Sequence, residues 1–137
     1  MELTRKQIKT IAFIGLSPNE HKPSNQVATY FQNEGYTIIP VNPNCDTVLG
    51  QKSYPGLLSI PKDIHLDIVA VFRKRKEVLA HLREVVQRGG IETVWLAEGV
   101  SSQEAEDYAK DHSLAMVTEM CMLKVHKAEK ERRERLP

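Results

Sequence analysis

The chain has 137 residues, 41% hydrophobic and 27% charged, which describes one ordinary globular domain able to bury about two-thirds of its unfolded surface. A net charge of +1 gives no global case for nucleic acid or an anionic membrane as partner, and two cysteines without a C-x-x-C pair make neither a disulfide framework nor a structural zinc pattern. No apolar run approaches the ~18 residues of a membrane span, and no apolar signal-peptide core follows the first six residues, so a cytoplasmic protein with reduced thiols is expected.

In chain order, Thr4 is placed to cap a short helix over residues 5–9. The apolar run at 11–15 reads as a first strand stopping at Gly15. A polar loop follows, and Ser24 opens a helix whose face is Val27, Ala28, Tyr30 and Phe31, with Gly35 as its terminator. Residues 37–41 form a second strand. Pro40 lacks a ladder donor, which puts that strand at an edge or leaving the sheet. Residues 42–61 are irregular, with room for a very short strand near 53–54 and a helical turn near 57–58.

Residues 67–72 are a strand. Val78, Leu79, Leu82, Val85 and Val86 then form an amphipathic helix closed by Gly89-Gly90. Residues 93–96 are a strand, with Trp95 in the core. Ser101-x-x-Glu104 is a capping box for a helix carrying Ala105, Tyr108 and Ala109. Residues 115–118 are the last strand, and 128–136 a charged helix with Glu129–Arg133 and Glu131–Arg135 pairs. From residue 124 onward six Lys/Arg face three Glu, so the tail is basic and the body slightly acidic. That tail is expected to be a solvated helix, with nucleic-acid binding as its minor alternative.

Strands alternating with helices run parallel, because each crossover is right-handed and covers a face. The expectation is an α/β fold, a Rossmann-like doubly wound parallel sheet of five or six strands in three α/β/α layers. Such sheets bind ligands at the carboxyl ends of their strands, near the switch point beside strand one. Those ends deliver Gly15, Leu16, Ser17 and Pro18; Val41, Asn42 and Pro43; Phe72, Arg73 and Lys74; Ala97, Glu98 and Gly99; and Thr118 to Cys121.

A dinucleotide site would need two further glycines in the first turn and an acid after strand two. Both are missing, so NAD(P) stays only as a degenerate-site alternative. There is no G-K-[ST] and no aspartate cluster after strand one. What remains is a serine-bearing turn, Lys22 in its loop, and a basic run at 73–76, which suit a ligand with several phosphates. Asn42-Pro43 offers an uncharged surface for an adenine.

These pieces resemble the coenzyme A-binding domain family, small single-domain relatives of the N-terminal domain of the succinyl-CoA synthetase alpha subunit. The matching segments are I-A-F-I-G-L-S-P with K-P-S following, G-Y-T-I-I-P-V-N-P, the G-x-x-x-Y at Gly50 to Tyr54, D-I-V-A-V-F-R, V-W-L-A-E-G-V and E-M-C-M-L-K-V-H. They run from about residue 8 to 126, implying a CoA-binding domain over 1–126 and a charged helical tail over 127–137.

The resemblance implies CoA across the strand ends. Gly15, Ser17 and Pro18 would approach the phosphates, with Lys22 as a phosphate partner. Val41, Asn42 and Pro43 would line the adenosine, flanked by Phe72 and Arg73. Ala97, Glu98 and Gly99 would lie nearer the pantetheine arm. The synthetase phosphohistidine belongs to a second domain that these residues do not supply, so ligase activity is not carried over.

Single residues also have plainer roles. The Gly15 turn needs small residues for tightness alone, though a phosphate role is favoured. The basic run opposes a helix macrodipole, which hints at a nearby anion; Arg73 is the contact candidate and the next three are solvated. Cys121 reads first as a small buried hydrophobe and second as a thiol facing the CoA sulfur. Cys45 is more exposed and incidental. Glu98 and Glu119 read first as acceptors for loop N–H groups and second as an acid–base pair. The five histidines show no ligand spacing, so no metal is expected; His81 and His112 read as helix surface. The expected function is non-covalent binding of coenzyme A or an acyl-CoA. The alternative is an enzyme acting on a CoA thioester or thiol through Cys121 or Glu98/Glu119. A small-molecule CoA ligand is the one partner expected.

Overall fold

A computed structural model describes residues 2–5 and 7–136. The elements run β1 (Thr10–Ile14), α1 (Pro23–Asn33), β2 (Thr37–Val41), β3 (Thr47–Val48), β4 (Gln51–Lys52), a 3-10 turn (Leu57–Ser59), β5 (Ile68–Val71), α2 (Arg75–Arg88), β6 (Thr93–Leu96), α3 (Gln103–Asp111), β7 (Ala115–Val117) and α4 (Met122–Arg135). Five strands form one parallel sheet in the order β2-β1-β5-β6-β7. The order reverses between β1 and β5, so the switch point lies at their carboxyl ends.

Side chains alternate across the sheet as the period of a strand requires. Ala12, Ile14, Val69, Val71, Val94 and Leu96 face one way and pack with Val78, Leu82 and Val85 of α2 and Ala105 of α3. Ile11, Phe13, Ile68, Ala70 and Trp95 face the other way, against Val27, Ala28 and Phe31 of α1 and Met122 of α4. The result is the expected Rossmann-like three-layer fold. Among the described residues no helix is long and apolar enough to cross a membrane.

Pro40 explains the edge. β2 is the outermost strand on its side. Successive N–H groups alternate along a strand, and Asn42 donates outward to the Tyr54 carbonyl at 2.9 Å, so Pro40 directs its missing donor the same way. Tyr54 in turn donates to the Pro40 carbonyl at 3.0 Å, so where the sequence predicts a very short strand near 53–54 there is one isolated parallel bridge. The hairpin β3/β4 was not legible in the sequence. Its turn holds Leu49 and Gly50 at φ 53 and 74, and a leucine in the left-handed region conceals a turn usually written Asn-Gly.

The helix ends correct three expectations. The helix expected at 5–9 is absent among the described residues: Ile8 N–H donates to the Arg5 carbonyl in a single turn, and Lys6 lies outside them. Ser102, not Ser101, caps α3, its Oγ accepting from Ala105 N–H at 3.1 Å. The reason is geometric: the extended residue is Ser102, so its hydroxyl meets the free amide three residues on.

The third correction concerns α4. It begins six residues before the expected 128, so the boundary expected at 126/127 falls inside it. Its first turns and Glu129 pack against α1 and the N-terminal segment, while residues 127, 128 and 130–136 stand exposed, as expected of a solvated tail. His126 and Glu129 are buried. The Tyr30 hydroxyl lies 2.6 Å from His126 Nδ1, and Thr4 donates twice to Glu129 Oε1. Lys130 pairs with Glu34 at 2.9 Å, and Arg133 pairs with Glu2 rather than with Glu129. An apolar-periodicity reading misses such a helix because two of the three residues in its buried stripe, His126 and Glu129 beside Met122, are polar.

Burial holds His126 below its ordinary value of 6.5. The unfolded chain therefore takes up this proton at a higher pH than the native protein. Stability is full above 6.5 and falls as pH drops toward the native value. Urea midpoints between about pH 7.5 and pH 5 should fall in the native protein and fall less in His126→Phe. Parallel slopes would show that His126 is not the group responsible.

Candidate functional site

The site begins where β1 ends. Gly15 has φ +84, and its N–H donates to the Val41 carbonyl at 2.9 Å. A Cβ there would stand 2.3 Å from the Phe72 carbonyl oxygen and 2.8 Å from Arg73 Cδ. The turn therefore needs glycine twice over, for its dihedral angle and for the approach of β5.

The loop after it is cross-braced. Leu16 is fully buried and anchors the turn, and its carbonyl accepts from Asn42 Nδ2 at 2.9 Å. Ser17 N–H donates to Ser24 Oγ at 3.0 Å, and the Ser17 carbonyl accepts from Asn25 Nδ2 at 2.9 Å. Ser17 Oγ itself accepts from Asn19 N–H at 3.1 Å. Ser24 and Asn25 are each 5% exposed, buried polar residues whose partners are this loop. The sequence reading missed that role; the signal was two hydrogen-bonding side chains in the first turn of an otherwise apolar-faced helix.

Three helices start around the same point. α1 begins at Pro23 after Lys22, α2 at Arg75 after Lys74, and α4 at Met122 after Cys121, and none of the three has a side-chain cap. Uncapped first-turn N–H groups carry partial positive charge and favour an anion. The basic run at the α2 start is partly offset locally. Arg73 Nε donates to Glu77 Oε2 at 2.7 Å, and Arg75 Nη2 donates to the Gly99 carbonyl at 2.7 Å.

Between these helix starts lies a cavity of about 850 Å³, within the usual range for small-molecule sites. Of the expected residues, Gly15, Ser17, Lys22, Phe72, Arg73, Ala97, Glu98 and Cys121 line it. Pro18, Val41, Asn42, Pro43 and Gly99 are not part of its wall. Val41 is buried in the sheet, Pro18 and Pro43 are exposed, and Asn42 is tied to Leu16 and to Asn44 N–H. The wall also holds residues not singled out as ligand contacts: Ser24, Val27, Lys74, Glu77, Trp95, Leu96, Val100, Met120 and Met122. Trp95 is core, as expected, but its edge also reaches the cavity, and its Nε1 donates to the Met120 carbonyl at 2.7 Å.

The Glu119 carboxylate accepts from Gly99 N–H with both oxygens at 3.3 Å, while Glu98 stands exposed on the cavity wall. That geometry uses Glu119 to brace the loop after β6. Cys121 and Cys45 are both free thiols of intermediate burial, so Cys45 is less exposed than its polar loop suggested.

A doubly wound parallel sheet with a cavity at its switch point defines a Rossmann-like α/β domain. The CoA binding domain family matches residues 9–127, and the chain belongs to that family. It is 35% identical over 118 residues to the uncharacterized protein YneT of Bacillus subtilis, covering 86% of this chain and 85% of that one. It is 36% identical over 98 residues to an ADP-forming acetate–CoA ligase (II) of Archaeoglobus fulgidus, covering 69% of this chain but 14% of the ligase. Among solved structures, a Thermus thermophilus protein superposes with a TM-score of 0.83 at 30% identity, over 90% of this chain and 91% of that one.

Proposed function

We propose that this protein binds coenzyme A or an acyl-CoA non-covalently in the switch-point cavity. The observation that carries the reading is the convergence of three uncapped helix starts, with Lys22, Arg73 and Lys74, on one cavity beside the Gly15 turn. Family membership supports the choice of ligand. The pyrophosphate would lie against Gly15, Ser17 and the start of α1, with Lys22 as a cationic partner and Pro18 at the rim. The pantetheine arm would run past Phe72, Arg73, Ala97 and Glu98 toward Cys121, with Gly99 behind it. The adenosine would leave the cavity toward Val41, Asn42 and Pro43. Asn42 acts there by holding the phosphate turn through the Leu16 carbonyl.

The ligase relative's activity belongs to a protein of which this chain spans 14%, and the proposal here is one of binding. Thermal unfolding with CoA, acetyl-CoA, NAD, NADP and ATP tests it. A ligand at 100 times its dissociation constant adds about 2.7 kcal/mol, a rise of several degrees in Tm. The rise should occur with the CoA compounds. Stabilisation by NAD or NADP alone would overturn the reading and restore the degenerate dinucleotide site.

A further inference from the structure

We propose that the ligand is an acyl-CoA rather than free CoA, with a short apolar acyl chain held at the β6–β7 end of the cavity. The inference rests on the CoA reading above.

The cavity has two chemically different ends. Its glycine turn and cations come from the strand ends of β1 and β5 and the loops beyond them. At the β6–β7 end the wall holds Trp95 on β6 and Met120 beyond β7, beside Glu98 and the Cys121 thiol, while Val27 belongs to α1 and Met122 opens α4, which packs on α1. β6 and β7 lie two and three positions from β1 in the sheet, which is about 10 and 14 Å at the spacing of strands. An extended pantetheine arm spans such a distance, so a phosphate at the Gly15 turn brings the sulfur to the apolar end.

That end offers a hydrocarbon the Trp95 ring and the Met120 side chain, beside the Cys121 thiol. Trp95 spends its N–H on the Met120 carbonyl and so turns only apolar ring toward the cavity. Val27 and Met122 are almost fully buried. Met120 is 52% exposed. Among the described residues the exposed large apolar side chains are Leu58, Val86, Met120 and Leu136, and of these Met120 alone lines the cavity. An acyl chain would cover it. Methionine is unbranched and adapts to partners of differing shape, which suits a range of short chains.

Trp95 is the single tryptophan of the chain, so its emission reports on this end of the site. Titration of the intact protein with CoA, acetyl-CoA, butyryl-CoA and hexanoyl-CoA should show affinity rising by about fourfold per buried methylene. The emission should shift to the blue more with the acyl compounds than with CoA. In Met120→Asp the ratio of hexanoyl-CoA to CoA affinity should fall toward one. Binding of CoA with flat or falling affinity along the series would overturn the acyl inference and leave the CoA reading standing. A ratio unchanged by Met120→Asp would overturn the placement of the chain. No binding by any compound of the series would overturn both readings.

Discussion

Gly15→Val should destabilise the protein by at least about 3 kcal/mol. Two effects act together, and their sizes separate them. The first is the backbone: φ is +84, where a β-branched residue is strained by about 1–3 kcal/mol. The second is the contact: a Cβ would stand 2.3 Å from the Phe72 carbonyl oxygen, a backbone atom that cannot rotate away. Gly35 supplies the control. It has φ +93 at the end of α1, and a Cβ there would meet nothing within 4 Å. Gly35→Ala should therefore show the backbone cost alone, about 1 kcal/mol. Urea denaturation of the two variants measures the difference. Equal losses would show that the approach of β1 to the end of β5 is not under steric pressure.

Ser17→Asp should leave the fold intact and lower affinity for CoA compounds by about 100-fold, a loss of about 2.8 kcal/mol. Ser17 Oγ accepts from Asn19 N–H, and an aspartate carboxylate can accept the same bond. The bracing from Ser24 and Asn25 runs through the Ser17 backbone and does not depend on its side chain. What changes is charge: an anion is placed where the proposal puts a pyrophosphate. Calorimetric titration of CoA into the variant, beside an unchanged denaturation midpoint, is the expected pair of results. Unaltered affinity would remove the turn from the site, and a collapsed midpoint would show that the loop depends on the serine hydroxyl itself.

The layers of the fold were readable because they rest on periodicity and punctuation. β2 and β6 occupy residues 37–41 and 93–96 as their apolar runs indicate, and Gly35 and Gly89 close α1 and α2. Pro40 marked the edge strand because a missing donor is tolerated only there. Less was readable where contacts are polar or distant in sequence. α4 hides its packing because His126 and Glu129, not leucines, face α1 and the N-terminal segment. The β3/β4 hairpin hides behind a leucine in a left-handed turn. Ser24, Asn25 and Asn42 gain their meaning only when loops far apart along the chain meet around Leu16 and Ser17.

The amino-acid sequence by itself determined the alternation of strands and helices, hence the parallel sheet, the switch point beside β1 and the short roster of strand ends. Those follow from local propensity and from the handedness of crossovers, which each segment carries with it. Tertiary structure decided which of those ends share one cavity. It gathered Gly15, Lys22, Arg73 and Cys121 around the starts of α1, α2 and α4, and it left Val41, Asn42 and Pro43 outside the wall. It also turned Trp95 and Met120, from different strand ends, into one apolar surface. The reason is that a strand's carboxyl end is written in its own residues, whereas the distance between two such ends depends on sheet order and on how each helix docks.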